Sequence, residues 1–210
     1  LHRLIRRQRQ MCIRDRAYVW FTFLCLYNLV RKGTRILLNK DEPADKLGEV
    51  WDIYDVNRQL TGSKHLRGQE LGIGEYHLVV NALIFNDDGQ VLMQKRSFNK
   101  ISYPGIWTVA TGGSALAGEN SRRALIRELS EELHLRVTSN RLQFINSINY
   151  TDWIEDWFAV RIDASLTNLV YQSSEIEAIR WTSLQEAIKI NNQNGVNDNT
   201  LLTQAQTLLF

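Results

Sequence analysis

Residues 39–210 predict one α/β domain of the α+β kind. It is an α/β/α sandwich, with a mixed β-sheet covered by helices on both faces. Three observations predict it. Short runs rich in β-branched and aromatic residues dominate the first half of the stretch. One long helical pattern, from about Asn120 to Leu133, occupies its centre. Helical spacing returns near the end of the chain.

Taken in order, Glu49 to Gly62 (EVWDIYDVNRQLTG) reads as a strand turning into a polar hairpin. The next segment, SKHLRGQELGIGEY, reads as loop, with glycines at 62, 68, 72 and 74 at its start and within it. His77 to Phe85 (HLVVNALIF) has the apolar, β-branched content of a buried strand. Asn86-Asp87-Asp88-Gly89 is a turn signal, and Gln90 to Arg96 returns as the hairpin partner. Ile106 to Ala110 is short and apolar, and a helix follows from about Glu119. Arg141 to Asn149 and Trp157 to Ile162 read as strands, and Ala178 to Trp181 as an edge strand. Leu184 to Ile190 and Leu201 to Leu209 have helical spacing, with Asn191–Asn199 as a polar loop between them.

Composition narrows the function classes. The 210 residues are 44% hydrophobic and 23% charged, the balance of a soluble domain large enough to bury a core. Residues 1–16 carry six arginines against one acid, a net of +5, so the remainder holds −3 of the chain's +2. A mildly acidic body has no electrostatic footprint for nucleic acid, and no nucleic-acid partner is expected. Both cysteines, Cys12 and Cys25, lie near the N-terminus. From residue 26 onward no disulfide, cysteine-zinc site or cysteine nucleophile can be built, and a cytoplasmic location is expected.

The first residues stand apart. LHRLIRRQRQMCIRDR precedes an apolar run of 14 residues ending at Val30. That run is short for a bilayer span of about 20 residues, and no small-residue cleavage site follows it. RQRQMCIRDR is similar to translated adapter sequence at the ends of environmental gene assemblies. Residues 1–38 are therefore expected to be a non-native or disordered extension, with no membrane partner.

Gly112 to Leu135 reads GGSALAGENSRRALIRELSEELHL and carries the chemistry. Glu128, Glu131 and Glu132 fall at i, i+3 and i+4, on one helix face. Carboxylates so crowded repel one another unless cations neutralise them, and hard oxygen donors suit Mg²⁺, with Mn²⁺ as an alternative. Leu125, Leu129 and Leu133 form the flank that pins the helix to the sheet, and Ala124 leaves room on the carboxylate side.

This stretch resembles the Nudix box, G-x5-E-x7-R-E-U-x-E-E-x-G-U, where U is a bulky aliphatic residue. Gly113, Glu119, Arg127, Glu128, Glu131 and Glu132 match six of its seven fixed positions; His134 stands where the seventh is glycine. Histidine there must take the left-handed conformation that glycine takes freely. The resemblance implies a Nudix-like sandwich and a Mg²⁺-dependent hydrolase that cleaves a diphosphate linkage in a nucleoside diphosphate-type or other organic diphosphate. It implies that Glu128, Glu131 and Glu132 are metal ligands, with Glu128 a ligand or the base. A backbone carbonyl at Gly112 or Gly113 joins the metal. Arg127 orients Glu128, and Glu119 caps or supports the helix start and also reaches the metal through water. Homodimers are common in the family, so a homodimer is one outcome it allows.

From Glu49 to Trp181 the chain is also similar to the branch containing isopentenyl-diphosphate isomerase, through YHLVVNALIFNDDGQVLMQKRS and the spacing of Lys100, Pro104, Gly105 and Trp107. That similarity implies that Arg96 and Lys100 grip the diphosphate of a small-molecule substrate. The isomerase needs a cysteine and a metal-binding histidine at positions held here by Gly112 and Ser114. His77 matches another of its metal ligands. A hydrolase is therefore expected; an isomerase-like enzyme and a non-catalytic ligand-sensing module are the alternatives. Nudix enzymes draw an extra acid from a nearby strand, for which Asp156 is the first candidate and Glu155 the second. Trp153, Trp157 and Trp181 are candidates for stacking on a base, though core packing is the commoner fate.

Overall fold

The computed structural model describes residues 48–100, 103–163, 169–195 and 199–210. The extension expected over residues 1–38 lies outside the described residues, so its boundary stays an expectation.

A two-stranded hairpin comes first, β1 (Val50–Tyr54) and β2 (Leu60–Leu66), paired antiparallel. The main sheet has seven strands. In chain order these are β3 (His77–Phe85), β4 (Val91–Arg96), β5 (Trp107–Thr108), β6 (Ala110–Ser114), β7 (Gln143–Asn149), β8 (Trp153–Arg161) and β9 (Ile176–Thr182). β3 is central. It runs parallel to β8 and antiparallel to β4 and β6, so the sheet is mixed.

Among the described residues, three helices cover it: α1 (Ser121–Leu133), α2 (Leu184–Asn194) and α3 (Asn199–Leu209). Side chains alternate along β3, and each set finds its own layer. Leu78, Val80, Ala82 and Ile84 pack with Leu125, Leu129 and Leu133 of α1. Leu83 and Phe85 pack with Leu184, Ala187, Leu201 and Leu202 of α2 and α3. This is the α/β/α sandwich that the sequence predicts.

Four details differ from the sequence-based expectation. Ser63–Leu66 is strand, not loop; almost every β2 side chain is exposed, so no hydrophobic alternation marks it. Ala110–Ser114 forms β6, although its two glycines resemble loop. β8 begins at Trp153 rather than Trp157, because Glu155 and Asp156 are accommodated inside the strand by partners described below. α2 continues through Asn194, beyond its last periodic apolar residue, and ends on Gly195 in the left-handed conformation.

Candidate active site

The helix α1 begins where Asn120, in extended conformation, accepts a hydrogen bond from the Arg123 N–H at 3.0 Å. The cap is thus Asn120, not Glu119. At the other end His134 holds φ 50° and ψ 27°, the left-handed cap expected of it. Leu125, Leu129 and Leu133 are buried as expected. Ala124 is fully buried in the same core, so it packs against the sheet and provides no open space beside the acids.

One strand supplies the floor. Gly113 lies opposite Val80, and a Cβ on it would stand 2.6 Å from Glu128 Oε1. The missing side chain lets the carboxylate rest against β6. Glu128 and Glu132 are both buried, while the Glu131 side chain is 55% exposed. The three acids share a side of α1 but not an environment.

Arg127 ties these parts together. Its Nε and Nη2 donate to the two oxygens of Glu119, each at 3.0 Å. Nη1 donates to Glu128 Oε1 at 2.8 Å and Glu131 Oε2 at 3.2 Å, and Nη2 also reaches the Ser114 carbonyl at 3.0 Å. Burial opposes its charge, yet the carboxylates outweigh this and raise its pKa. Burial likewise opposes the charge of Glu119, but hydrogen bonds from Arg127 and the Leu116 N–H hold its pKa below the usual value. Both Glu119 oxygens are thereby engaged in holding Arg127. Burial pushes Glu128 up, Arg127 pulls it down, and the neighbouring charges of Glu131 and Glu49 add to the rise; the net direction is up.

The other expected residues distribute unevenly. Arg96 ends β4 with its guanidinium largely out of water; burial lowers its pKa, and the charges of Glu132 and Tyr103 oppose that. It therefore lies within electrostatic reach of the acids. Lys100 is held instead by a close ion pair with buried Glu175. Asp156 is 1% exposed, with its carboxylate bound by Arg58 and Ser121. Ser121 precedes Glu128 by seven residues, about 10 Å along the helix axis, so Asp156 sits apart from the acid cluster. Glu155 accepts from Asn81 Nδ2 at 2.6 Å. Trp157 is buried in the core layer beneath α2 and α3, and Trp181 is partly buried against the other layer, beside α1. Trp153 stacks on Tyr150 at 4.6 Å. Arg58, Ser121, Glu49 and Glu175 were not expected, because nothing in a polar hairpin or a lone acid announces its distant partner.

The donor set suits a hard divalent cation: three carboxylates and the carbonyls of a glycine pair over which one of them lies. Among the described residues, no three acidic, histidine or cysteine side chains already converge closely enough to enclose an ion. Glu131 would have to leave Arg127 to complete a shell with Glu128 and Glu132.

A model of the NUDIX domain matches residues 75–203, more than half of the chain. The chain belongs to the Nudix hydrolase family. A Nudix hydrolase of Listeria monocytogenes is 37% identical over 138 residues, 66% of this chain and 82% of that protein. An isopentenyl-diphosphate Delta-isomerase of Salmonella heidelberg is 39% identical over 62 residues, 30% of this chain and 34% of that one. The crystal structure of DR0079 from Deinococcus radiodurans shares the fold, with a TM-score of 0.61 at 22% identity over 75% of this chain and 99% of that one. The hairpin β1–β2 lies ahead of the residues matched by the Nudix family model.

Proposed function

We propose that this Nudix protein hydrolyses a diphosphate linkage in a nucleoside diphosphate-type or other organic diphosphate, with Mg²⁺ as its cofactor and Mn²⁺ as an alternative. The observation that carries the reading is the acid cluster of α1 over Gly113, held by Arg127. Glu128, Glu131 and Glu132 would hold the cation, joined by the carbonyl of Gly112 or Gly113. When bound, such an ion neutralises phosphate charge and makes water acidic enough to act as nucleophile. Glu128 would serve as a ligand of the cation or as the base toward the attacking water. Arg127 fixes the Glu128 carboxylate, and Glu119 fixes Arg127. Arg96 and Lys100 are the proposed phosphate-binding cations; Arg96 feels the charge of Glu132, and Lys100 pairs with Glu175. A small-molecule substrate and a cytoplasmic location accompany this reading; no helix among the described residues is long and apolar enough to cross a membrane.

The isomerase alternative loses support at Gly112. A Cβ there would stand 1.9 Å from the Val80 carbonyl oxygen, so a cysteine cannot occupy the position without displacing the strand pair.

The test is phosphate release from a panel of nucleoside diphosphate compounds and prenyl diphosphates, with Mg²⁺, with Mn²⁺ and with chelator. Metal-dependent cleavage of at least one compound is expected. Failure to cleave any of them, or double-bond isomerisation of isopentenyl diphosphate, would reject the reading.

A further inference from the structure

The hairpin β1–β2 grips the segment that leads into α1. At its base the Val50 carbonyl accepts from the Ala117 N–H at 2.7 Å, and Asp52 Oδ2 accepts from the Gly118 N–H at 2.6 Å. Both donors belong to the loop between β6 and α1. At its tip the chain is turned by Asp55, whose Oδ1 accepts from the N–H groups of Asn57 and Gln59. This turn places Arg58 at φ 62°, a left-handed conformation disfavoured for any side chain.

Held there, Arg58 reaches the main sheet. Nη1 donates to Asp156 Oδ1 at 2.6 Å and to Ser147 Oγ at 2.7 Å, on β8 and β7. Nη2 pairs closely with Asp156 Oδ2 and lies 3.2 Å from Ser121 Oγ. Ser121, the first residue of α1, donates its own hydroxyl to Asp156. Both oxygens of this buried carboxylate are engaged by Arg58 and Ser121, and an ion pair in this setting is geometrically demanding. Arg58 also lines a cleft of about 400 Å³ with Asp156, Ser121, Arg122 and Phe144; the Arg58 side chain is partly exposed there, whereas that of Asp156 is 2% exposed and held by its partners.

We infer that Arg58 and Asp156 are positioning residues for the metal-binding face of α1. The hairpin is a brace: its base fixes the loop at residues 117 and 118, and its tip fixes the first residue of the helix. Together they set where α1 lies along β6, and hence how Glu128 and Glu132 stand over Gly113. The inference rests on the hydrolase reading above, and it assigns to Asp156 a role other than substrate contact.

The test uses the full chain with Arg58→Gln and Arg58→Lys, reading Mn²⁺ affinity by electron paramagnetic resonance, kcat and KM, and the melting temperature. All binding and rate measurements are made at least 15 °C below each variant's melting point. Arg58→Gln is expected to weaken Mn²⁺ binding and lower kcat about tenfold each, with KM changed less than threefold; Arg58→Lys, which keeps the charge but not the fork, falls between. A folded Arg58→Gln with wild-type Mn²⁺ affinity and kcat would overturn the inference, leaving the pair as a stability device. Should Arg58→Gln fail to fold, Arg58→Lys decides alone: wild-type affinity and kcat despite a lowered melting point would overturn it equally. Wild-type protein that binds no Mn²⁺, or binds it unchanged after Glu132→Gln, would instead refute the metal-site reading on which the inference stands.

Discussion

At Gly112 an added Cβ would stand 1.9 Å from the Val80 carbonyl oxygen, a contact with backbone that no rotamer change relieves. Gly112→Ala should therefore destabilise the domain by about 3 kcal/mol, the upper range for overpacking, measured by urea unfolding. Gly112→Cys should fare no better and should not acquire isomerase activity. His77 offers a second test at this scale. It stacks on Trp51 at 4.2 Å and 12°, and burial, aided by the nearby charge of Arg67, lowers its pKa to about 4. The unfolded chain takes up a proton near pH 6.5 that the folded protein refuses until about pH 4, so stability falls as pH drops through that window. The full shift corresponds to roughly 3 kcal/mol, and partial exposure of the ring reduces it to about 2. His77→Phe keeps a ring for the stack. Its melting temperature should change less between pH 7 and pH 5 than that of the parent protein; equal acid sensitivity would place the titrating group elsewhere.

For α1 as an element, Arg127 matters more through its fork than through its charge. Five contacts converge on one guanidinium, and lysine can reproduce only part of them. Arg127→Lys should cost about 2–3 kcal/mol of stability and lower kcat, because Glu119 and Glu128 are then left imperfectly paired in partly buried positions. At the helix end, His134→Gly should raise stability by about 0.5–1 kcal/mol, since glycine adopts φ 50° without strain. Much of this element was legible in the sequence. The spacing of acids, leucines and cap residues fixes a helix locally, and a periodic pattern needs no knowledge of distant neighbours. What the sequence hid is non-local. β2 carries no alternation because side chains on both of its faces are exposed. β6 is written in glycines because Glu128 and the β3 backbone crowd it, so its composition imitates a loop. The same limit applies to the site. The charge of Asp156 and its place before apolar residues mark it in the sequence. Its partner Arg58 lies 98 residues away in a polar turn, and only the fold reveals that the charge is already spent on that contact.

For the molecule as a whole, the described core is drawn from Trp51 onward, and we propose that residues 39–210 fold without residues 1–38. A chain beginning at residue 39 should melt cooperatively within about 2 °C of the full chain, less than the shift expected from 1 kcal/mol. Loss of that transition would show that the first residues belong to the fold. The sandwich places Glu128, Glu131 and Glu132 on one face of the sheet, where crowding of charge on α1 is tolerated through Arg127 and, on the proposed reading, through a bound cation. A ligand that binds only the folded state stabilises it by mass action. Mg²⁺ or Mn²⁺ should therefore raise the melting temperature, and chelator should reverse the rise.

Glu132→Gln puts the central claim to the most direct test, because it removes one charge from the acid cluster while keeping shape. Its metal-dependent rise in melting temperature and its turnover of the best diphosphate substrate would be measured beside the parent protein. The account predicts that the thermal shift is largely lost and that kcat falls at least ~100-fold, with cooperative unfolding retained. Full turnover at the same metal concentration, together with an undiminished thermal shift, would contradict the assignment of the active site to this helix.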